Sequence, residues 1–129
     1  MKWEPRFATG DAKIDDQHKM LFTASEQFRH TLEAGEGKKT YDLFLDFLTG
    51  YCEMHFAAEE NCMFMHKCPV ATQNKHEHGL FLRLVDKENT RFRDEGFDAT
   101  LATKLLDTLD HWLESHICRI DTRLSEVLV

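Results

Sequence analysis

Apolar residues recur at helical spacing in four stretches of this 129-residue chain, and nowhere do they alternate with a period of two. The first stripe carries Ile14, Phe22 and Leu32, flanked by Leu21 and Phe28; the second carries Tyr41, Phe44, Leu48 and Tyr51. The third holds Leu82, Val85 and Phe92, and the fourth Leu105, Leu109, Trp112, Ile120 and Val127. At about 100° per residue, each set lies within about 40° of one line on its own helix. Such a pattern excludes strands and predicts an all-α fold. Pro5 and Pro69 are the only prolines, and the glycines cluster at 35 and 37 with singles at 10, 50, 79 and 96. With Thr40 and Asp98 as N-cap candidates, these marks predict helices over 15–34, 40–66, 70–94 and 98–127, after an irregular N-terminal arm. Short connections between them imply an up-down-up-down four-helix bundle. The length suits one domain over 1–129.

Polar residues share the buried lines. His18 lies on the first stripe, His55 and Glu59 on the second, Asn74 and His78 on the third, His116 on the fourth. A polar group facing a bundle core needs a partner, or its burial costs several kcal/mol. A lone histidine there reads as a core residue bonded to a neighbour. Four, one from each helix, are hard to satisfy among themselves, because neutral imidazole has one donor and one acceptor. A shared metal centre satisfies them together, and histidine with carboxylate is the donor set of non-haem iron pairs in bundles. His55 and Glu59 are one turn apart and point the same way, as do Asn74 and His78. Glu60 turns away from that line and is expected to be solvated. His116 and Asp121 are five apart, about 140° on an ideal helix, which suits a carboxylate bridging two metals or a local π-bulge. His30, His76 and His111 lie off the stripes and read as surface residues. His66 continues the His55/Glu59 line, where it either borders the site or ends the helix in solvent.

Composition narrows the classes. The formal net charge of −7 argues against phosphate-directed nucleic-acid binding. No apolar stretch is long enough to span a bilayer, and the N-terminus lacks a signal-peptide apolar segment, so a cytoplasmic protein with no membrane association is expected. Cys52, Cys62, Cys68 and Cys118 show no paired spacing and read as reduced, partly buried thiols.

In order and interval, several motifs together resemble the hemerythrin family, specifically single-domain bacterial hemerythrins. They are Trp3 with Gly10, Ile14-Asp15-Asp16-Gln17-His18-Lys19, His55-Phe56-x-x-Glu59-Glu60 with Met63, Pro69, Glu77-His78, and Trp112-Leu113-x-x-His116-Ile117 ending at Asp121. The resemblance spans essentially the whole chain. It implies a bundle holding two non-haem iron ions, oxo- or hydroxo-bridged, with O2 as reversible ligand. Carried over by position, His18 and His55 would ligate the iron with the open site, and His78 and His116 the other. Glu59 and Asp121 would bridge the two. Trp112 and Ile117 become candidates for the wall of the ligand pocket. The implied role is an oxygen carrier, store or scavenger rather than an enzyme. The alternatives are a sensor of O2, redox state or nitric oxide, or a peroxidase-like activity.

The family pattern places His-x-x-x-His on the third helix, and here the first of these is Asn74. Three outcomes follow: water or an open position, ligation by the Asn74 amide oxygen, or substitution by His76. The last demands irregular backbone, because His76 lies about 200° from His78. Cys68 is a second departure, standing where many relatives have Tyr before the Pro.

Overall fold

The fold follows from how each helix is started and stopped. The structure, a computed structural model, describes residues 1–128. Asp11 begins α1 (Ala12–Glu33) by accepting the Ile14 N–H at 2.9 Å, and Gly35 ends it at φ +78°. That backbone conformation costs glycine little and other residues more. α2 (Gly37–Met65) starts three residues earlier than the sequence suggests. Thr40 is therefore not its N-cap: it lies inside the first turn, with a buried hydroxyl that finds no partner. The early start depends on Gly37, where a Cβ would come within 2.6 Å of the Leu32 side chain.

α2 closes in a Schellman turn. The Cys68 N–H reaches back to the Met63 carbonyl at 2.9 Å and Lys67 N–H to Phe64 at 3.2 Å. Lys67 sits in the left-handed region at φ 53°. α3 (Ala71–Glu95) follows Pro69 and stops at Gly96, φ +84°. Asp98 caps α4 (Ala99–Arg119) by accepting the Leu101 N–H at 3.0 Å, as its position in the sequence predicts. α4 ends well before 127. Ile120 caps the helix, still in the right-handed region at φ −115° with its N–H on the His116 carbonyl, and Asp121–Glu126 continue as a 3-10 helix.

The four helices form an all-α, up-down-up-down bundle, and no strand occurs among the described residues. α2 packs chiefly on α3 and α1, and α1 on α4. The core holds Leu21, Phe22, Tyr41, Leu45, Leu48, Phe81, Val85, Leu106 and Leu109. On α3 the buried line is Asn74, His78, Phe81 and Val85. Leu82 and Phe92, assigned to this stripe from sequence, are only partly buried, because α3 leans on α2 and turns a narrow face inward. The N-terminal arm is irregular apart from a 3-10 turn at Pro5–Phe7. It is nonetheless docked, with Phe7 fully buried and stacked on Phe22 at 5.2 Å. No helix among the described residues is long and apolar enough to cross a membrane. All four cysteines are free, and burial pushes the Cys52 thiol up to about 12.

Antiparallel order sets the level of the site. His18 falls early in α1, His55 late in α2, His78 early in α3 and His116 late in α4, so all four meet at one end of the bundle. Beyond them Met63, Cys68, Val70, Ile120 and Leu124 make a second apolar cluster. These residues neighbour Glu59, Asn74 and Asp121 in the chain, so the polar group is enclosed between two hydrophobic layers.

Candidate metal centre

His18, His55, Glu59, Asn74, His78, His116 and Asp121 are all at most 1% exposed and converge on one another. Glu59 divides its two oxygens between two pairs of imidazoles, and Asp121 divides its own between one imidazole of each pair. Glu59 Oε2 lies 3.0 Å from His18 Nε2 and 3.5 Å from His55 Nε2, while Oε1 lies 3.0 Å from His78 Nε2 and 3.8 Å from His116 Nε2. Asp121 Oδ2 is 3.2 Å from His18 Nε2 and Oδ1 is 3.0 Å from His116 Nε2. Two donor groups result, His18/His55/Glu59 and Glu59/His78/His116/Asp121, each compact enough to enclose one ion.

Asp121 reaches His116 because α4 has ended. No π-bulge is present: the break at Ile120 swings Asp121 back toward the bundle axis. His30, His66, His76 and His111 are exposed, as read from sequence for the surface histidines, and His66 is the solvated end of α2.

The rings are oriented from behind. His55 Nδ1–H donates to Gln17 Oε1 at 2.7 Å, His78 Nδ1–H to Glu60 Oε2 at 2.9 Å and His116 Nδ1–H to Glu77 Oε1 at 2.9 Å. Arg119 holds Glu77 in turn, at 3.0 Å. Carboxylate and amide oxygens only accept, so these bonds place the Nδ1 protons outward and turn each Nε2 toward the centre. Glu60 is thus not simply solvated as its helical angle suggests, because a long side chain can bend back to a ring on the neighbouring helix. Gln17, Glu60 and Glu77 were not singled out as site residues in the sequence. The available signal was that each stands beside a candidate ligand in the chain. His18 Nδ1 has no partner.

Aromatic rings wall one side. Phe56 stacks on His78 at 3.8 Å and Trp112 on His116 at 4.4 Å, with Phe81 against Trp112 at 4.5 Å. Trp112 therefore borders the His78/His116 pair, and Ile117 is wholly buried in the main core.

Asn74 fills the position one turn before His78. The inward end of its amide lies 2.9 Å from both His78 Nε2 and His116 Nε2, 3.0 Å from Glu59 Oε1 and 3.3 Å from Asp121 Oδ1, partners that suit the NH2 group as donor. Donation to these atoms is the arrangement a metal-free cluster prefers, and an oxygen facing them is favourable only when a cation lies among them. His76 takes no part.

Protonation tells the same story. Burial opposes charge on His18 and His116, yet Asp121 and Glu59 outweigh it and raise the two imidazoles to about 9 and about 10. Burial lowers His55 to about 3, only partly offset by Glu59. Burial also pushes the Glu59 carboxyl up, but hydrogen bonds from His116, His18 and His78 bring it well below the usual range. Asp121 is raised by burial and by the Glu59 charge. Without metal the cluster balances its charge with protons, and a cation would displace them. The donor set and its enclosure fit a metal pair.

A profile of the hemerythrin HHE cation binding domain matches residues 9–128. The chain belongs to the hemerythrin family. Its relatives include a bacteriohemerythrin of Clostridium acetobutylicum, 28% identical over 92% of this chain and 94% of that protein. A bacteriohemerythrin of Pseudomonas aeruginosa strain LESB58 is 32% identical over 89% of this chain and 72% of its own length. Hemerythrin membership and the clustered His, Glu and Asp donors agree on a metal-binding bundle.

Proposed function

We propose that this hemerythrin-family chain, as a single domain, holds two non-haem iron ions and binds O2 reversibly as a carrier, store or scavenger. The reading is carried by one observation: Glu59 and Asp121 each direct one oxygen toward His18 and the other toward the His78/His116 pair. A carboxylate shared in that way is a bridge between two metals. In this reading His18 and His55 hold one iron and His78 and His116 the other. Two irons held by these residues would supply the redox chemistry for reversible O2 binding.

The chain's own residues set the conditions for this. An ion held by His18 and His55 would have only these imidazoles and the shared carboxylates as protein donors, leaving room there for O2. Asn74 stands on the opposite side. Gln17 fixes the His55 ring, and Glu60 and Glu77 fix His78 and His116. Two apolar layers exclude water and hold the rings in a low-dielectric setting.

The test is spectroscopic. Protein reconstituted with iron without oxygen should carry two irons per chain and develop a visible absorption band in air. That band should vanish under vacuum and return with O2. Fewer than two irons, or no band but steady consumption of peroxide or nitric oxide, would replace carriage with another chemistry.

A further inference from the structure

The two halves of the centre are not held equally. Four donor residues, Glu59, His78, His116 and Asp121, gather around one position, and three, His18, His55 and Glu59, around the other. The support behind the rings differs in the same direction. His78 and His116 each donate an Nδ1–H to a carboxylate, Glu60 and Glu77. Both rings are also stacked, His78 on Phe56 at 3.8 Å and His116 on Trp112 at 4.4 Å. His55 donates instead to a neutral amide, Gln17, and no protein acceptor reaches His18 Nδ1. Resting on the two-metal reading above, we infer that these outer bonds load the centre in a fixed order. The His78/His116 pocket takes the first ion and keeps it, and the His18/His55 pocket takes the second and exchanges it.

A carboxylate behind an imidazole makes the ring a more basic ligand and fixes its aim, and such a partner changes metal affinity about 10–100-fold. The His78/His116 pocket has two of these partners and the facing pocket has none. Filling the first pocket does not strip the second, because Glu59 and Asp121 each keep one oxygen toward His18. Asn74 acts against this order, since an ion beside His78 and His116 displaces its NH2 group from their nitrogens. That group carries two protons, so at most two hydrogen bonds are lost, and the amide can turn its oxygen inward in return. Two carboxylate-backed rings outweigh that cost. The exchangeable ion is then the one beside the room for O2, and losing it ends O2 binding without emptying the tighter pocket.

The experiment titrates metal-free protein with Zn2+, a redox-inert ion, and follows the imidazole nitrogens of His18, His55, His78 and His116 by NMR, with affinities from calorimetry. Two neighbouring cations repel, so the second step is weaker whichever pocket fills first. The location of the first ion therefore decides. At one equivalent His78 and His116 should show the metal-bound shift, and His18 and His55 should acquire it only with the second equivalent. Gln17→Glu, which puts a carboxylate behind His55, should strengthen the second step about tenfold with the first unchanged. Gln17→Ala should weaken the second step by about the same factor. Should Gln17→Glu not fold, the parent's order and Gln17→Ala decide. Both pairs of rings shifting together from the start, or His18 and His55 shifting first, would overturn the order and leave the two-metal reading standing. An unchanged second step in the folded Gln17 variants would do the same. Fewer than two ions per chain at saturation would overturn both.

Discussion

Three imidazoles of the centre are anchored through Nδ1 and one is not. His55, His78 and His116 each donate to an oxygen outside the donor group, whereas His18 Nδ1 is buried without a partner. Such outer bonds fix ring orientation and tautomer, and their loss weakens metal binding about 10–100-fold. The most layered case is His116, held by Glu77, which Arg119 steadies from the surface. Glu77→Ala should therefore weaken metal affinity by about 10–100-fold in a chelator competition, with the helical circular-dichroism signal unchanged. Glu114→Ala, which removes only an exposed partner of Arg6, should leave affinity where it is. Equal affinities in the two variants would mean that packing by Trp112 and Phe56 alone orients the rings.

At the level of elements, the turn between α2 and α3 carries a conformational cost at one residue. Lys67 occupies the left-handed C′ position of the Schellman turn, where a side chain costs roughly 1–2 kcal/mol. Glycine removes that cost but loses more backbone freedom on folding, by roughly 0.5–1 kcal/mol. Lys67→Gly should thus raise the stability of the metal-free protein by about 0.5–1 kcal/mol, read as a higher urea midpoint with an unchanged slope. Lys67→Ala should give no such gain. The turn also shows where sequence reading stops. Pro69 and the glycines marked the connections, but nothing in the residues announces that Lys67 is left-handed. Thr40 looked like a cap because its residue type is a good one, while the real start depends on Gly37 fitting against Leu32. The end of α4 was hidden for a related reason. Ile120 and Val127 keep helical spacing, and only the contact between Asp121 and His116 requires the chain to leave the helix.

Across the whole molecule, period and spacing were enough to read the bundle and to bring six buried polar residues to one level, because antiparallel order converts early and late positions into a common height; Asp121 joined them only through the family resemblance. The outer acceptors Gln17, Glu60 and Glu77 were not legible, since their roles depend on contacts between helices rather than on position within one. Enclosing this much polarity has a consequence for stability. In the metal-free protein His18 and His116 are raised from 6.5 to about 9 and about 10, mainly by Asp121 and Glu59 acting against burial. A group whose folded pKa is raised lends stability that is fully present below its unfolded value, near 6.5, and is lost as pH climbs through the folded one. The metal-free fold should therefore weaken steadily from about pH 6.5 toward about pH 10. A bound cation takes the place of those protons, so the loaded fold should lose far less over the same range, and metal binding should release protons. Calorimetric melting at pH 6 and pH 8.5, with and without saturating zinc as a redox-inert ion, tests this directly. The gap between loaded and metal-free melting temperatures should widen at the higher pH. Parallel shifts in the two forms would mean that the buried imidazoles are not what balances Glu59 and Asp121, and that surface groups govern the pH dependence instead.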